Sequence, residues 1–164
     1  MSKSIIVGFS HGKTIFSKLI SLVTGQEITH CYVRVPFEGN EDLSLVFHAA
    51  GMNVHYMNYD YFKGFQKKII SEYKVELTDE QWQKAQQLRF EQAGKPYGWK
   101  QILGYTYVLF NRKLDNPLAD GDKSHVCVEI VANSLGLPNA EKLLPHELEI
   151  LVKLMPNAKL FDTF

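Results

Sequence analysis

Between residues 29 and 77 four strand-like segments follow one another, and no helical repeat separates them. Residues 29–35 and 43–50 read as two strands joined by the polar turn Glu38-Gly39-Asn40-Glu41-Asp42, with further strands near 52–57 and at 68–77. A short apolar run, Ile5 to Phe9, precedes them and has the length of a buried strand. Helical spacing lies mostly outside this block. Ile15, Phe16, Leu19, Ile20, Leu22 and Val23 predict a helix from Thr14 that Gly25 closes, and Thr78-Asp79-Glu80-Gln81 is a capping-box signature. That second helix points Trp82, Ala85, Leu88 and Ala93 inward and stops at Gly94. Residues 97–110 are aromatic-rich and partly helical, 111–123 form a polar loop, one helix ends at Gly136, and Pro145–Leu154 makes the last. Strands and helices that do not alternate as βαβ units argue for an α+β class rather than a doubly wound sheet.

The chain of 164 residues suits one domain, residues 1–164, with no repeat or linker to divide it. Lysine plus arginine equals aspartate plus glutamate at 18 each, so no global charge draws the chain to nucleic acid or to an anionic membrane. No apolar run approaches a membrane span, and the five-residue run near the N-terminus is too short for a signal-peptide core, which predicts a cytoplasmic protein. Two cysteines do not make a disulfide framework and fit a reducing compartment. Oligomeric state is not legible.

The chemistry concentrates on one of those thiols. Cys127 lies where the polar Ser124-His125 runs into the helical pattern of Val128, Ile130 and Val131, which places it in a first helical turn. Unpaired N–H groups and the helix dipole favour the thiolate there. Strand parity separates Cys31, Val33 and Val35 on an apolar face from His30, Tyr32 and Arg34 on the other. Cys31 is therefore expected in the core, and His30 is the candidate base. On the next strand His48 shares its face with Val46 and Ala50, small enough to leave room beside an imidazole that would hold His30 in the right tautomer.

These residues recur in an order that resembles the circularly permuted NlpC-like papain-fold hydrolases, relatives of the lecithin:retinol acyltransferase-like enzymes. The resemblance rests on the strand and helix up to Gly25, then Thr29-His30-Cys31-Tyr32-Val33, Phe47-His48-Ala49-Ala50, Gly94-Lys95-Pro96-Tyr97, Cys127-Val128-Glu129 and Leu144-Pro145-His146-Glu147-Leu148. It implies a permuted papain-like fold with an antiparallel sheet packed against helices. It makes Cys127 the nucleophile, His30 the base and His48 the third polar residue. The implied activity is that of a cysteine hydrolase, an amidase or peptidase acting on a cell-wall peptide or related amide, with a lipid ester acted on by an acyltransferase or esterase as the alternative. Val128 stands where bacterial members often have Ser, and His48 where they often have Glu, the histidine being the acyltransferase branch's choice.

Other sites compete. Gly8-Phe9-Ser10-His11-Gly12-Lys13-Thr14 suggests a phosphate loop, but three residues separate its glycines where the nucleotide-binding pattern has four, so a strand-to-helix turn is the favoured reading. The six histidines and two cysteines show no His-x-x-x-His or Cys-x-x-Cys pair, so neither metal nor cofactor is expected. Tyr56, Tyr59, Tyr61, Phe62 and Phe65 read as a packed loop or, more sharply, as the apolar wall of a cleft. A non-catalytic binding module on the same fold is the remaining class. The expected partner of the enzyme is a peptide, amide or ester substrate.

Overall fold

Six antiparallel strands form one sheet in the computed structural model, which describes residues 3–37, 40–104 and 123–163. In chain order they are β1 (Lys3–Gly12), β2 (His30–Phe37), β3 (Asn40–Ala50), β4 (Asn53–Asn58), β5 (Gln66–Leu77) and β6 (Ala158–Thr163). Their order across the sheet is β4-β3-β2-β1-β5-β6. The helices are α1 (Ile15–Thr24), α2 (Tyr59–Phe65), α3 (Asp79–Gln92), α4 (from 99 to the edge of the described residues at 104), α5 (Cys127–Leu135) and α6 (Pro145–Leu154). The class is α+β, as expected from strands and helices that do not alternate as βαβ units. Among the described residues no helix is long and apolar enough to cross a membrane.

β1 sits near the middle because both of its faces are apolar. Ile5, Ile6, Val7 and Phe9 are all fully buried, so the strand needs cover on each side and neighbours on each edge. On one face Ile5, Val7, Phe9, Val33 and Phe47 pack against Ile130 and Val131 of α5. Side chains of this size contribute about 1.5–3 kcal/mol each when fully buried. On the other face Tyr32, Val46 and Ile69 lie beneath Tyr59 and Phe62 of α2. Cys31 falls with the first set and Tyr32 with the second, as strand parity requires.

Four local features differ from the sequence reading. The aromatic stretch is a helix, not a loop: Asn58 caps α2, its side-chain oxygen accepting from Asp60 N–H at 2.9 Å and Tyr61 N–H at 3.3 Å. α3 opens with the predicted capping box, yet its buried residues are Ala85, Arg89 and Gln92, while Ala93 is its exposed C-cap. β6 has no counterpart in the prediction and covers the edge of β5. Asn40, Glu41 and Asp42 belong to β3 rather than to a turn, and Glu38 and Gly39 lie outside the described residues, as do 105–122 with most of the expected loop.

Residues 8–12 continue β1 and do not form a loop. Ser10 pairs with Ile69, His11 with Lys68 and Gly12 with Gln66, and Gly12 N–H donates to Thr29 Oγ1 at 3.2 Å. Both glycines are there for close packing. A Cβ at Gly8 would collide with the Tyr32 ring, and one at Gly12 would collide with Ser17 Oγ.

Candidate active site

α5 starts at Cys127 because the chain before it is pinned on both sides. Gly98 N–H donates to His125 C=O at 2.9 Å, and His125 N–H donates to Pro96 C=O at 3.1 Å. The Gly94–Tyr97 segment is itself tied to β4, with Val54 N–H donating to Lys95 C=O and Tyr97 N–H to Met52 C=O, both at 2.9 Å. Val126, at the N-cap, has no side-chain oxygen. The reciprocal half of a capping box is made instead, with Val126 N–H donating to Glu129 Oε2 at 3.0 Å. The same carboxylate oxygen lies 3.4 Å from His125 Nδ1, and Lys95 Nζ lies 3.4 Å from His125 Nε2. The glutamate of Cys127-Val128-Glu129 thus fixes where the helix, and with it the thiol, begins.

The two histidines reach each other through the register of the sheet. β2 and β3 pair back to Val33 opposite Phe47. Continued one step, that register sets His48 opposite Tyr32 and diagonal to His30 on the same face. Their rings meet edge to face with centroids 5.4 Å apart, and His30 Nε2 lies 3.2 Å from His48 Nδ1. Phe62 of α2 holds the pair from below, edge-on to His48 at 5.0 Å and 6.1 Å from His30. Burial pushes His48 down to about 2, helped by the neighbouring His30 and His55, so its ring is neutral across the physiological range. His48 Nε2 is buried without a hydrogen-bond partner.

Cys127 meets both β2 and His30. Its thiol sits well below the ordinary cysteine range, first because the Cys31 side chain bonds to it. Burial opposes the shift, and the charge and hydrogen bond of His30, with the Cys31 backbone, add to it. Cys31 is pushed the other way, by burial first and then by its bond to Cys127. Tyr97, also raised well above its range by burial and then by the two cysteines, stays a protonated phenol nearby. The three predicted site residues therefore come together. Cys31 is core, as parity requires, but it is also the first neighbour of the thiol, which parity did not reveal.

Two cavities flank this group. The larger, of about 460 Å³, is lined by His30, His48 and His55 together with Phe16, Met57 and Phe65, and among the described residues no Asp, Glu, Lys or Arg lines it. The smaller, of about 40 Å³, is lined by Cys127 itself and by apolar side chains of α1 and of the segment before α6, such as Ile20, Val23 and Leu144. Ile20 and Tyr97 border both cavities. Of the aromatic stretch, Phe65 lines the larger cavity, and the neighbouring Met57 lines it too.

No family model matches the chain, and no curated protein does. Among solved structures it is similar to the metalloprotein yiiX of Escherichia coli O157:H7, DUF1105, at 17% identity and a TM-score of 0.62. That match covers 100% of this chain and 97% of the other, so the two share a fold along their length. The described residues here do not fit a metal. They contain no group of three His, Cys, Asp or Glu able to hold one. His30 Nε2 and His48 Nδ1 meet each other and His55 Nδ1 meets Asn53 C=O at 3.2 Å, while His48 Nε2 has no partner among the described residues.

Proposed function

We propose that this protein is a thiol-dependent acyl hydrolase or acyltransferase of the permuted papain-like kind, with Cys127 as nucleophile, His30 as base and His48 as its orienting partner. The single observation that carries the reading is the chain Cys127–His30–His48, with a thiol held below its usual range at one end and a neutral imidazole at the other. Neutral His48 offers Nδ1 as acceptor to His30 Nε2–H, which leaves the other ring nitrogen of His30 to take the thiol proton. When His30 becomes imidazolium, the same acceptor stabilises its charge, so no rearrangement is needed as the proton moves. Thiolate attack on an ester or amide carbonyl gives a tetrahedral oxyanion and then an acyl-enzyme. The unpaired N–H groups of the first turn of α5, and the Tyr97 phenol, are the donors nearest to the developing charge.

The cleft lining favours one acyl donor over the other. A cell-wall peptide carries charged groups that a specific site would meet with charged side chains, and among the described residues no Asp, Glu, Lys or Arg lines the larger cavity. Phe16, Met57, Phe65 and Ile20 suit an apolar acyl chain instead. The reading is tested by mass spectrometry of the intact protein after incubation with activated esters of acetyl, octanoyl and hexadecanoyl groups. The expected result is a thioester on Cys127, released by hydroxylamine, that forms faster with the longer chains and is lost in Cys127→Ser. Absence of any Cys127 adduct with all three would overturn the thiol mechanism. An adduct whose rate ignores chain length would return the substrate to the amide class.

A further inference from the structure

We infer that Cys31 and Cys127 form a peroxide-reactive dithiol, with Cys127 as the attacking thiol and Cys31 as the resolving one. The observation is the meeting of the chain's two free cysteines, Cys31 from β2 and Cys127 from the first turn of α5, in one cluster. A cysteine side chain is one methylene long, so two sulfurs in contact bring their Cα atoms close to the span of a disulfide, about 4.4–6.8 Å. Cys31 is paired with Phe9 of β1 and lies on the face of β2 that packs in one cluster with Cys127, Val128 and Val131 of α5. Burial elsewhere in the core would make Cys31 inert. Here its neighbour is the one sulfur in the chain built to be nucleophilic.

The cavity beside Cys127 fits a small oxidant. It holds about 40 Å³, enough for one or two water-sized molecules, and its lining among the described residues is mostly apolar, with Thr24 and Tyr97 carrying the hydroxyls beside Cys127. The steps balance. The Cys127 thiolate attacks one oxygen of a peroxide ROOH, the O–O bond breaks, and ROH leaves after taking a proton, which converts Cys127 to a sulfenic acid. The Cys31 sulfur then attacks the sulfenic sulfur, its proton leaves with the hydroxyl as water, and a disulfide forms. The pair loses two electrons and the peroxide gains them. A small dithiol such as dithiothreitol reverses the change, becoming a cyclic disulfide while both cysteines return to thiols.

This pairing does not rest on the acyl-enzyme reading, since it needs only two thiols in contact and an oxidant that reaches one. The test treats the full chain with hydrogen peroxide at near-stoichiometric amounts, blocks remaining thiols with a maleimide in denaturant, and maps the peptides by mass spectrometry. The expected product is a monomer lighter by two hydrogens, with residues 31 and 127 cross-linked, no maleimide bound, and full reversal by dithiothreitol. In Cys31→Ala the expected product is instead a sulfenic acid at Cys127, captured by dimedone, that proceeds to sulfinic acid and is not rescued by dithiothreitol. Oxygen adducts on Cys127 with Cys31 still free in the unaltered chain, a disulfide between two chains, or two free thiols after treatment would each overturn the inference. Loss of the disulfide with retained ester labelling would sink this pairing alone, and the reverse would sink the acyl mechanism alone.

Discussion

The sheet buries two polar clusters, and they are satisfied to different degrees. In one, Arg34 Nη1 donates to Glu72 Oε2 at 2.8 Å, Tyr32 OH donates to Glu72 Oε1 at 2.8 Å, and Arg34 Nε donates to Ser44 Oγ at 2.6 Å. Tyr59 stacks on the guanidinium, its ring centroid 4.0 Å from the Arg34 Cζ, so the charge is both paired and covered. In the other, His30 and His48 share one hydrogen bond, His48 Nε2 has none, and the Cys127 thiol is drawn towards ionisation by neighbours while burial resists it. Both clusters draw on β2, two residues apart along the strand. The first pairs its charges and, among Tyr32, Arg34, Ser44, Tyr59 and Glu72, leaves only the Tyr59 hydroxyl without a partner, whereas the second borders two cavities. A charge-paired network fixes the sheet, whereas an open ring nitrogen beside a cavity is available for chemistry.

That contrast breaks most sharply in a pair of substitutions. Replacing the base, His30→Ala, is expected to slow iodoacetamide labelling of Cys127 at neutral pH by about 10²-fold or more, with the denaturation midpoint little changed. Glu72→Gln is expected to do the opposite. It leaves the buried Arg34 charge without its carboxylate and costs about 3–5 kcal/mol in urea denaturation, while the labelling rate per folded molecule holds. If Glu72→Gln slowed labelling as much as His30→Ala, the two clusters would be one network and the distinction would fail.

A medium-sized effect separates them by pH. In the unfolded chain His48 titrates near 6.5, and in the folded protein burial holds it down to about 2. Between those values the unfolded chain binds the extra proton, so stability is fully present above pH 6.5 and falls as the solution is acidified. Over the first one to two pH units below that point the loss is about 1–2 kcal/mol. His48→Gln, which cannot titrate, is expected to flatten that slope in denaturation curves compared at neutral and mildly acidic pH. An unchanged slope would show that His48 is not the group that resists protonation.

Local signals in the sequence located the thiol and the histidines but missed what surrounds them. Parity along residues 29–35 set His30 with Tyr32 and Arg34, parity along 43–50 set His48 with Val46 and Ala50, and the polar-to-apolar switch before Val128 placed Cys127 at a helix start. Those features depend only on short-range backbone geometry. The shared face of the two histidines came from the register. The partnership of Cys31 with Cys127 depends on α5 laying its first turn against that face of β2 which carries Cys31, and no residue in β2 announces this. The Arg34–Glu72 pair joins residues 38 apart in sequence, and strand parity does not choose partners across an intervening strand. β6 was missed because Ala158–Thr163 is short and becomes a strand only by pairing with β5. α2 was legible in principle. Asn58 followed two residues later by Asp60 is an N-cap signal, outweighed by the aromatic density that suggested a loop.

That overlooked cap gives the smallest and most discriminating comparison. Thr78→Ala at α3 and Asn58→Ala at α2 each remove a side chain that caps a helix, and each is expected to cost about 1 kcal/mol in denaturation. α3 carries no residue against the histidines, whereas α2 carries Phe62, whose ring holds His48 at 5.0 Å and His30 at 6.1 Å. Equal losses of stability should therefore have unequal consequences. Asn58→Ala is expected to slow Cys127 labelling by a few-fold as the first turn of α2 frays and Phe62 loosens, and Thr78→Ala to leave it unchanged. Equal labelling in the two variants would mean that the sheet alone aligns His30, because the diagonal hydrogen bond to His48 would then suffice without an aromatic floor.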